Sequence, residues 1–81
     1  MNTIEITSTQ NDLIKYCVKL QDSKFRKKES LILVDGAKTI EGFIEAGVVF
    51  KYLFVKKDNP ICKKANIENL VYVNSEILKK I

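Results

Sequence analysis

Residues 31–55 read LILVDGAKTIEGFIEAGVVFKYLFV, a pattern of strand, helix and second strand. Residues 31–34 form a short continuous apolar run, which is typical of a strand covered on both faces. After Asp35 and Gly36 the apolar residues follow the spacing of a helix, and Gly47 suits the left-handed position just beyond its end. Residues 50–55 are rich in aromatic and β-branched side chains and predict another strand. Two strands joined by a helix are the crossover unit of a parallel sheet.

The chain on either side repeats this alternation. Residues 11–21 predict a helix with one apolar stripe. Pro60 suits the first position of a brief helix, residues 70–73 predict a third strand, and Asn74 begins the cap of a last helix. We therefore expect an α/β fold: a small three-layer sandwich whose mostly parallel sheet contains residues 31–34, 50–55 and 70–73. The side chains expected in its core are Leu13, Cys17, Leu20, Leu33, Ile40, Phe43, Ile44, Leu53 and Val55.

Composition limits the class of protein. A chain of 81 residues has room for one domain and one core. Its hydrophobic content of 46% excludes a disordered chain, and 30% of charged residues suits a soluble one. No apolar run approaches the roughly 20 residues that span a bilayer, so we expect no membrane partner. Residues 3–9 lack the features of a signal peptide, which predicts a cytoplasmic location.

The chemistry-bearing residues indicate neither a metal site nor an enzyme. Cys17 and Cys62 are too few for a disulfide framework and lack paired metal-ligand spacing, so we expect free thiols and no metal. Without histidine there is no base for a nucleophilic triad, and the glycines form neither a phosphate loop nor a dinucleotide loop. Glu41 and Glu45 lie four apart on a predicted helix, where a solvated pair is the expected arrangement. We expect no catalytic residue and no cofactor in this chain.

The positive charge is concentrated in one segment. Residues 15–28 contain six basic residues and one acidic residue, whereas the rest of the chain contains eight basic and nine acidic residues. Solvated helix faces normally mix charges of both signs, so this segment predicts contact with the phosphates of a nucleic acid. Residues 22–30 have no clear period and predict a mobile loop or a frayed helical turn, in which Phe25 either stacks on a base or anchors the segment to the core. The predicted RNA-binding residues are Lys15, Lys19, Lys24, Arg26, Lys27 and Lys28.

Several short motifs follow one another along the chain: residues 6–15, ITSTQNDLIK, then Leu20, Lys24 and Arg26, then residues 33–36, LVDG, with Ile40 and Glu41, and residues 53–55, LFV. Together they resemble the opening of the SpoU (TrmH-type) RNA 2′-O-ribose methyltransferases. Each motif is weak alone, but their order and spacing over nearly the whole chain are fairly specific. The chain departs from the family at Asp12, where proline is frequent, and at Asp35, where glutamate is frequent.

The resemblance implies that residues 1–81 are an amino-terminal substrate-binding domain with the fold of ribosomal proteins that bind kinked RNA. The substrate would be rRNA or tRNA. In such proteins a separate carboxy-terminal knotted domain binds S-adenosylmethionine, forms the homodimer and transfers the methyl group. Because this chain stops barely two turns into its last predicted helix, we expect a fragment of such an enzyme. The alternative is a free-standing RNA-binding or protein-interaction module, with the basic segment incidental to its function.

Overall fold

The computed structural model describes the backbone of residues 1–81 and every side chain except that of Cys62. The thiol expected at Cys62 therefore lies outside the described residues. In chain order the elements are β1 (Asn2–Glu5), α1 (Asp12–Lys19), α2 (Ser23–Glu29), α3 (Ala37–Glu45), β2 (Val49–Val55), a 3-10 turn (Pro60–Lys63), β3 (Asn66–Tyr72) and α4 (Ser75–Lys80). The predicted α/β class is confirmed.

All three strands are parallel, in the order β1-β3-β2. In the central strand, Val71 lies beside Ile4 of β1 and Phe54 of β2. Successive residues of a strand point to opposite faces, so Leu70 and Val71 face opposite layers. Both are buried, which fits a sheet covered by helices on its two faces.

Two apolar clusters make up the core, one on each face of the sheet. One cluster joins the sheet to α1 and α4 through Ile6, Ile14, Val71, Val73 and Ile77. The other contains Leu53, Val55 and Leu70, against which Ile40 of α3 and Ile61 of the 3-10 turn pack. The predicted three-layer sandwich with a parallel sheet is therefore confirmed.

The prediction for residues 31–34 was wrong, because this segment has no regular structure and lies outside the sheet. Ile32 is 72% exposed, and Leu33, expected in the core, is 43% exposed. The third strand is instead β1, a segment for which the sequence had predicted no element. An apolar run indicates that its side chains favour apolar surroundings, but it does not specify which strand its backbone pairs with. The pattern of residues 31–34 was therefore compatible with a position inside or outside the sheet.

Of the two alternatives predicted for residues 22–30, the mobile loop was wrong and the helical turn was nearer, because residues 23–29 form the capped helix α2. The helix begins where the Asp22 carboxylate accepts a hydrogen bond from the backbone N–H of Lys24 at 2.9 Å. It ends at Ser30, which adopts the left-handed conformation with φ of 57° while the N–H of Leu31 bonds to the carbonyl of Arg26. Capping at both ends thus compensates for the missing apolar stripe.

Predictions of helix ends, which rest on signals within a few residues, were more accurate. Helix α1 lies within the predicted residues 11–21 and is capped by Asn11, Asn74 caps α4 as expected, and Gly47 follows α3 with φ of 76°. Of the expected core, Cys17, Leu20, Leu53 and Val55 are buried, whereas Leu13, Ile40, Phe43 and Ile44 are only half-buried. In the part of the chain that the structure describes, no helix has the length and apolar character needed to cross a membrane.

Candidate nucleic-acid interface

Helix α1 presents two lysines to solvent. The Asn11 side chain accepts a hydrogen bond from the N–H of Leu13 at 2.8 Å and so fixes where the helix begins. Ile14 and Cys17 turn one side of the helix into the core. Lys15 and Lys19, four residues apart, lie together on an exposed side.

Helix α2 presents three more lysines to solvent. Lys24, Lys27 and Lys28 are spaced by three and four residues, so they share one face of the helix, and all three are exposed. Phe25 and Glu29, four residues apart, are half-buried on another face. Helix α2 therefore has one exposed face of lysines and, on another side, a small half-buried face that can contact the rest of the chain, which we call the contact face.

Tyr16 of α1 joins the two helices through that contact face. Its hydroxyl donates to Glu29 Oε1 at 2.8 Å, and its ring meets the Phe25 ring edge-on at a centroid distance of 5.6 Å. The hydrogen bond to Glu29, aided by desolvation, raises the pKa of Tyr16 to about 12. Of the two roles considered for Phe25, the structure shows the anchoring contact.

Arg26 is directed inward, towards the turn between the helices. Its Nη1 donates to the carbonyl oxygens of Leu20 and Gln21, at 2.8 and 2.9 Å. These carbonyls lie at the carboxyl end of α1, where backbone acceptors lack helical partners and the helix dipole favours a cation. Arg26 is half-buried, whereas the five neighbouring lysines are exposed. The structure therefore separates the six predicted residues into one internal cation and five outward ones.

We call the five outward cations the lysine surface: Lys15, Lys19, Lys24, Lys27 and Lys28. None of them forms an ion pair with a described carboxylate; the ion pair that is present joins Lys57 to Glu5 at 2.9 Å. Each Lys is a mobile point charge with three donors, and such groups suit phosphate oxygens. Two consecutive helices, joined through Tyr16, thus carry five exposed lysines that form no ion pair with a described carboxylate.

Sequence reasoning missed Tyr16 and Glu29 as the pair that orders this arrangement. They are 13 residues apart, and no periodic pattern links residues across a turn at that distance. The asymmetry of charge between residues 15–28 and the rest of the chain was the signal that found the cations.

Among the described residues there is no group of three or more carboxylates and thiols placed to hold a metal ion. Burial raises the pKa of the Cys17 thiol to about 11, so the nucleophilic thiolate is disfavoured at neutral pH. Glu41 and Glu45 are both exposed on α3, as a solvated pair would be.

Comparison with known proteins gives a match to a family model. A family model described as the MRM3-like substrate binding domain matches residues 11–81. Neither the curated proteins nor the solved structures include a significant match. The matched region runs from the cap of α1 to the end of α4 and includes the whole lysine surface.

Proposed function

The chain belongs to the family of MRM3-like substrate-binding domains, and from this membership we propose that it holds rRNA or tRNA for an S-adenosylmethionine-dependent 2′-O-ribose methyltransferase. A substrate-binding domain supplies recognition, while methyl transfer is proposed for a separate domain of the parent enzyme. That domain would bind the cofactor and form the homodimer. The family match over residues 11–81 is the observation that carries the proposal.

The lysine surface is the part of the domain that we propose contacts RNA. Neutralising phosphates releases condensed counterions, which is the main source of affinity that does not depend on base sequence. RNA methylation requires the protein to hold a loop or an irregular strand, whose phosphates do not follow a regular helix. Flexible lysines on a rigid pair of helices can meet such phosphates, because the charges adapt while the backbone remains ordered. Arg26 contributes by fixing the turn between α1 and α2.

Fluorescence anisotropy with a labelled RNA hairpin, which has an unpaired loop, tests this assignment. The variant Lys24→Gln/Lys27→Gln/Lys28→Gln removes the three charges of α2 from the lysine surface. We expect it to bind RNA at least about tenfold more weakly than the unmodified chain. Its circular dichroism and melting temperature should be nearly unchanged, because exposed charges usually alter stability by less than about 0.5 kcal/mol.

The matched control is Lys56→Gln/Lys63→Gln/Lys64→Gln, which removes the same charge from exposed positions after β2 and around the 3-10 turn. We expect this variant to retain most of its RNA affinity. Equal losses in the two triple variants would show that bulk charge, rather than the lysine surface, governs binding. The basic segment would then be incidental, and a protein-interaction module would become the better explanation.

A further inference from the structure

Helix α2 is attached to the rest of the domain mainly by polar contacts. It has seven residues, none of them buried, and a helix of that length is marginal in water without packing to support it. Tyr16 of α1 bonds to Glu29 and meets the Phe25 ring edge-on. The guanidinium of Arg26 bonds to the backbone at the end of α1. Such contacts stabilise less than the full burial of Ile14, which fixes α1 itself.

The carboxyl end of α2 is strained. Ser30 has φ of 57° and ψ of 39°, and among the described residues it is the one non-glycine residue with a positive φ. In this left-handed conformation a side chain is disfavoured, because its Cβ lies close to the following carbonyl oxygen. The hydrogen bond from the N–H of Leu31 to the carbonyl of Arg26 accompanies that conformation. Separation of α2 from α1 would let Ser30 return to an ordinary φ, so the strain favours separation.

The lysine face of α2 adds electrostatic repulsion. Lys24 is three residues from Lys27 and four from Lys28, and like charges at these spacings destabilise a helix. No described carboxylate forms an ion pair with any of the three. Phosphates bound across this face would supply the missing negative charge. The bound anion and the docked helix would therefore stabilise each other.

The core of the domain does not include α2. The buried residues of the two apolar clusters come from other parts of the chain: Ile6, Ile14, Val71, Val73 and Ile77 in one, and Leu53, Val55 and Leu70 in the other. Separation of α2 would leave both clusters intact. It would therefore be a local opening, with a lower free energy than unfolding of the whole domain.

We propose that α2 is a strap that undocks from α1 as one unit, and that bound RNA holds it docked. The second half of this inference rests on the proposed function. In the docked state the lysines of α1 and α2 bind one RNA together, whereas in the undocked state the two groups bind separately and more weakly. Undocking thus gives the domain a route for releasing RNA, a step that each cycle of a parent enzyme would require.

Native-state amide exchange of the unmodified chain, followed by NMR, tests whether α2 undocks. We expect the amides of residues 26–31 to exchange through one common opening, with protection at least about tenfold below that of the buried β3 amides. Equal protection of α2 and β3 would mean that α2 opens only when the whole domain unfolds. That result would overturn the proposal.

Two variants separate undocking from unfolding. Ser30→Gly removes the left-handed strain, and we expect the α2 amides to exchange about two- to fivefold more slowly. Ser23→Gly, the same replacement at a position of α2 without a positive φ, should instead speed their exchange about twofold, because glycine weakens a helix. Unchanged α2 exchange in Ser30→Gly would contradict an opening that includes the strained cap.

Ile77→Val is the control in the core, where Ile77 is fully buried. It removes one methylene group and should speed the exchange of the β3 amides several-fold. The α2 amides should be nearly unaffected, because undocking does not open the core. If both elements changed in parallel, α2 would not be an independent unit.

The labelled RNA hairpin tests the second half of the inference. At about ten times its Kd we expect RNA to slow the exchange of the α2 amides about five- to tenfold, since undocking then requires loss of bound phosphates. At equal saturation, Lys24→Gln/Lys27→Gln/Lys28→Gln should show less than about twofold protection of α2. RNA that binds without slowing α2 exchange would refute the coupling and leave the proposed function intact. Absence of RNA binding would refute both, while the exchange of the free chain would still decide whether α2 undocks.

Discussion

At the scale of single residues, Arg26 shows how a cation in a basic segment can have a structural role. Its guanidinium bonds to two carbonyl oxygens at the end of α1, whereas Lys27 beside it is exposed. Removing Arg26 would leave those carbonyls without a strong donor. Removing Lys27 would take away only a solvated charge.

We therefore expect substitution of Arg26 to affect stability and substitution of its neighbour Lys27 to affect RNA binding. Arg26→Ala should lower the free energy of unfolding by about 1–2 kcal/mol in urea denaturation and leave the salt dependence of RNA binding nearly unchanged. Lys27→Ala should change stability by less than about 0.5 kcal/mol and reduce the slope of log affinity against log salt by about 0.7. If Arg26→Ala kept full stability but reduced that slope, Arg26 would contact RNA directly.

At the scale of elements, α1 and α2 act as one unit because Tyr16 connects them. The Tyr16–Glu29 hydrogen bond and the edge contact with Phe25 substitute for the apolar stripe that α2 lacks. The exposed lysines of both helices depend on this unit for their relative positions. Loss of the Tyr16 hydroxyl should therefore loosen α2 before it affects the sheet.

The pKa of Tyr16 provides a test of this connection. Because its pKa is raised from 10.0 to about 12 in the folded chain, the stabilisation that it provides is complete below pH 10 and is lost as the pH rises through about 12. Ultraviolet titration should show one tyrosine ionising near pH 12, and this step should be absent in Tyr16→Phe. In the same variant the amide hydrogens of α2 should exchange several-fold faster than in the unmodified chain, while the exchange of the β3 amides should be nearly unchanged. A normal titration of all three tyrosines would contradict the connection.

Elements defined by local signals could be predicted from the sequence, and those defined by distant partners could not. Asn11, Gly47 and Asn74 marked helix ends correctly because capping acts within a few residues. Residues 31–34 had the pattern of a strand, but β1 took the third place in the sheet through pairing with residues about 67 positions away. For residues 22–30 the sequence left a loop or a frayed helical turn open, because part of what orders α2 is its contact with Tyr16 of α1.

At the scale of the whole molecule, the charges and the apolar patches are separated. The lysine surface lies on α1 and α2, while exposed apolar side chains such as Ile32 and Val49 line a groove formed with β2 and residues 31–35. The positive excess of residues 15–28 exceeds that of the whole chain, which carries +4. We therefore propose that a polyanion binds preferentially at the lysine surface, and this is the central claim.

The salt dependence of RNA affinity, measured for the unmodified chain and for Lys24→Gln/Lys27→Gln/Lys28→Gln, tests that claim most directly. If the five lysines contact about five phosphates of an unpaired RNA segment, log affinity should fall against log salt with a slope of roughly −3.5. Raising the salt from about 50 to 200 mM would then weaken binding about a hundredfold. In the triple variant we expect the slope to be shallower by about two units, while the control at Lys56, Lys63 and Lys64 retains it. Equal slopes in all three proteins would contradict the claim.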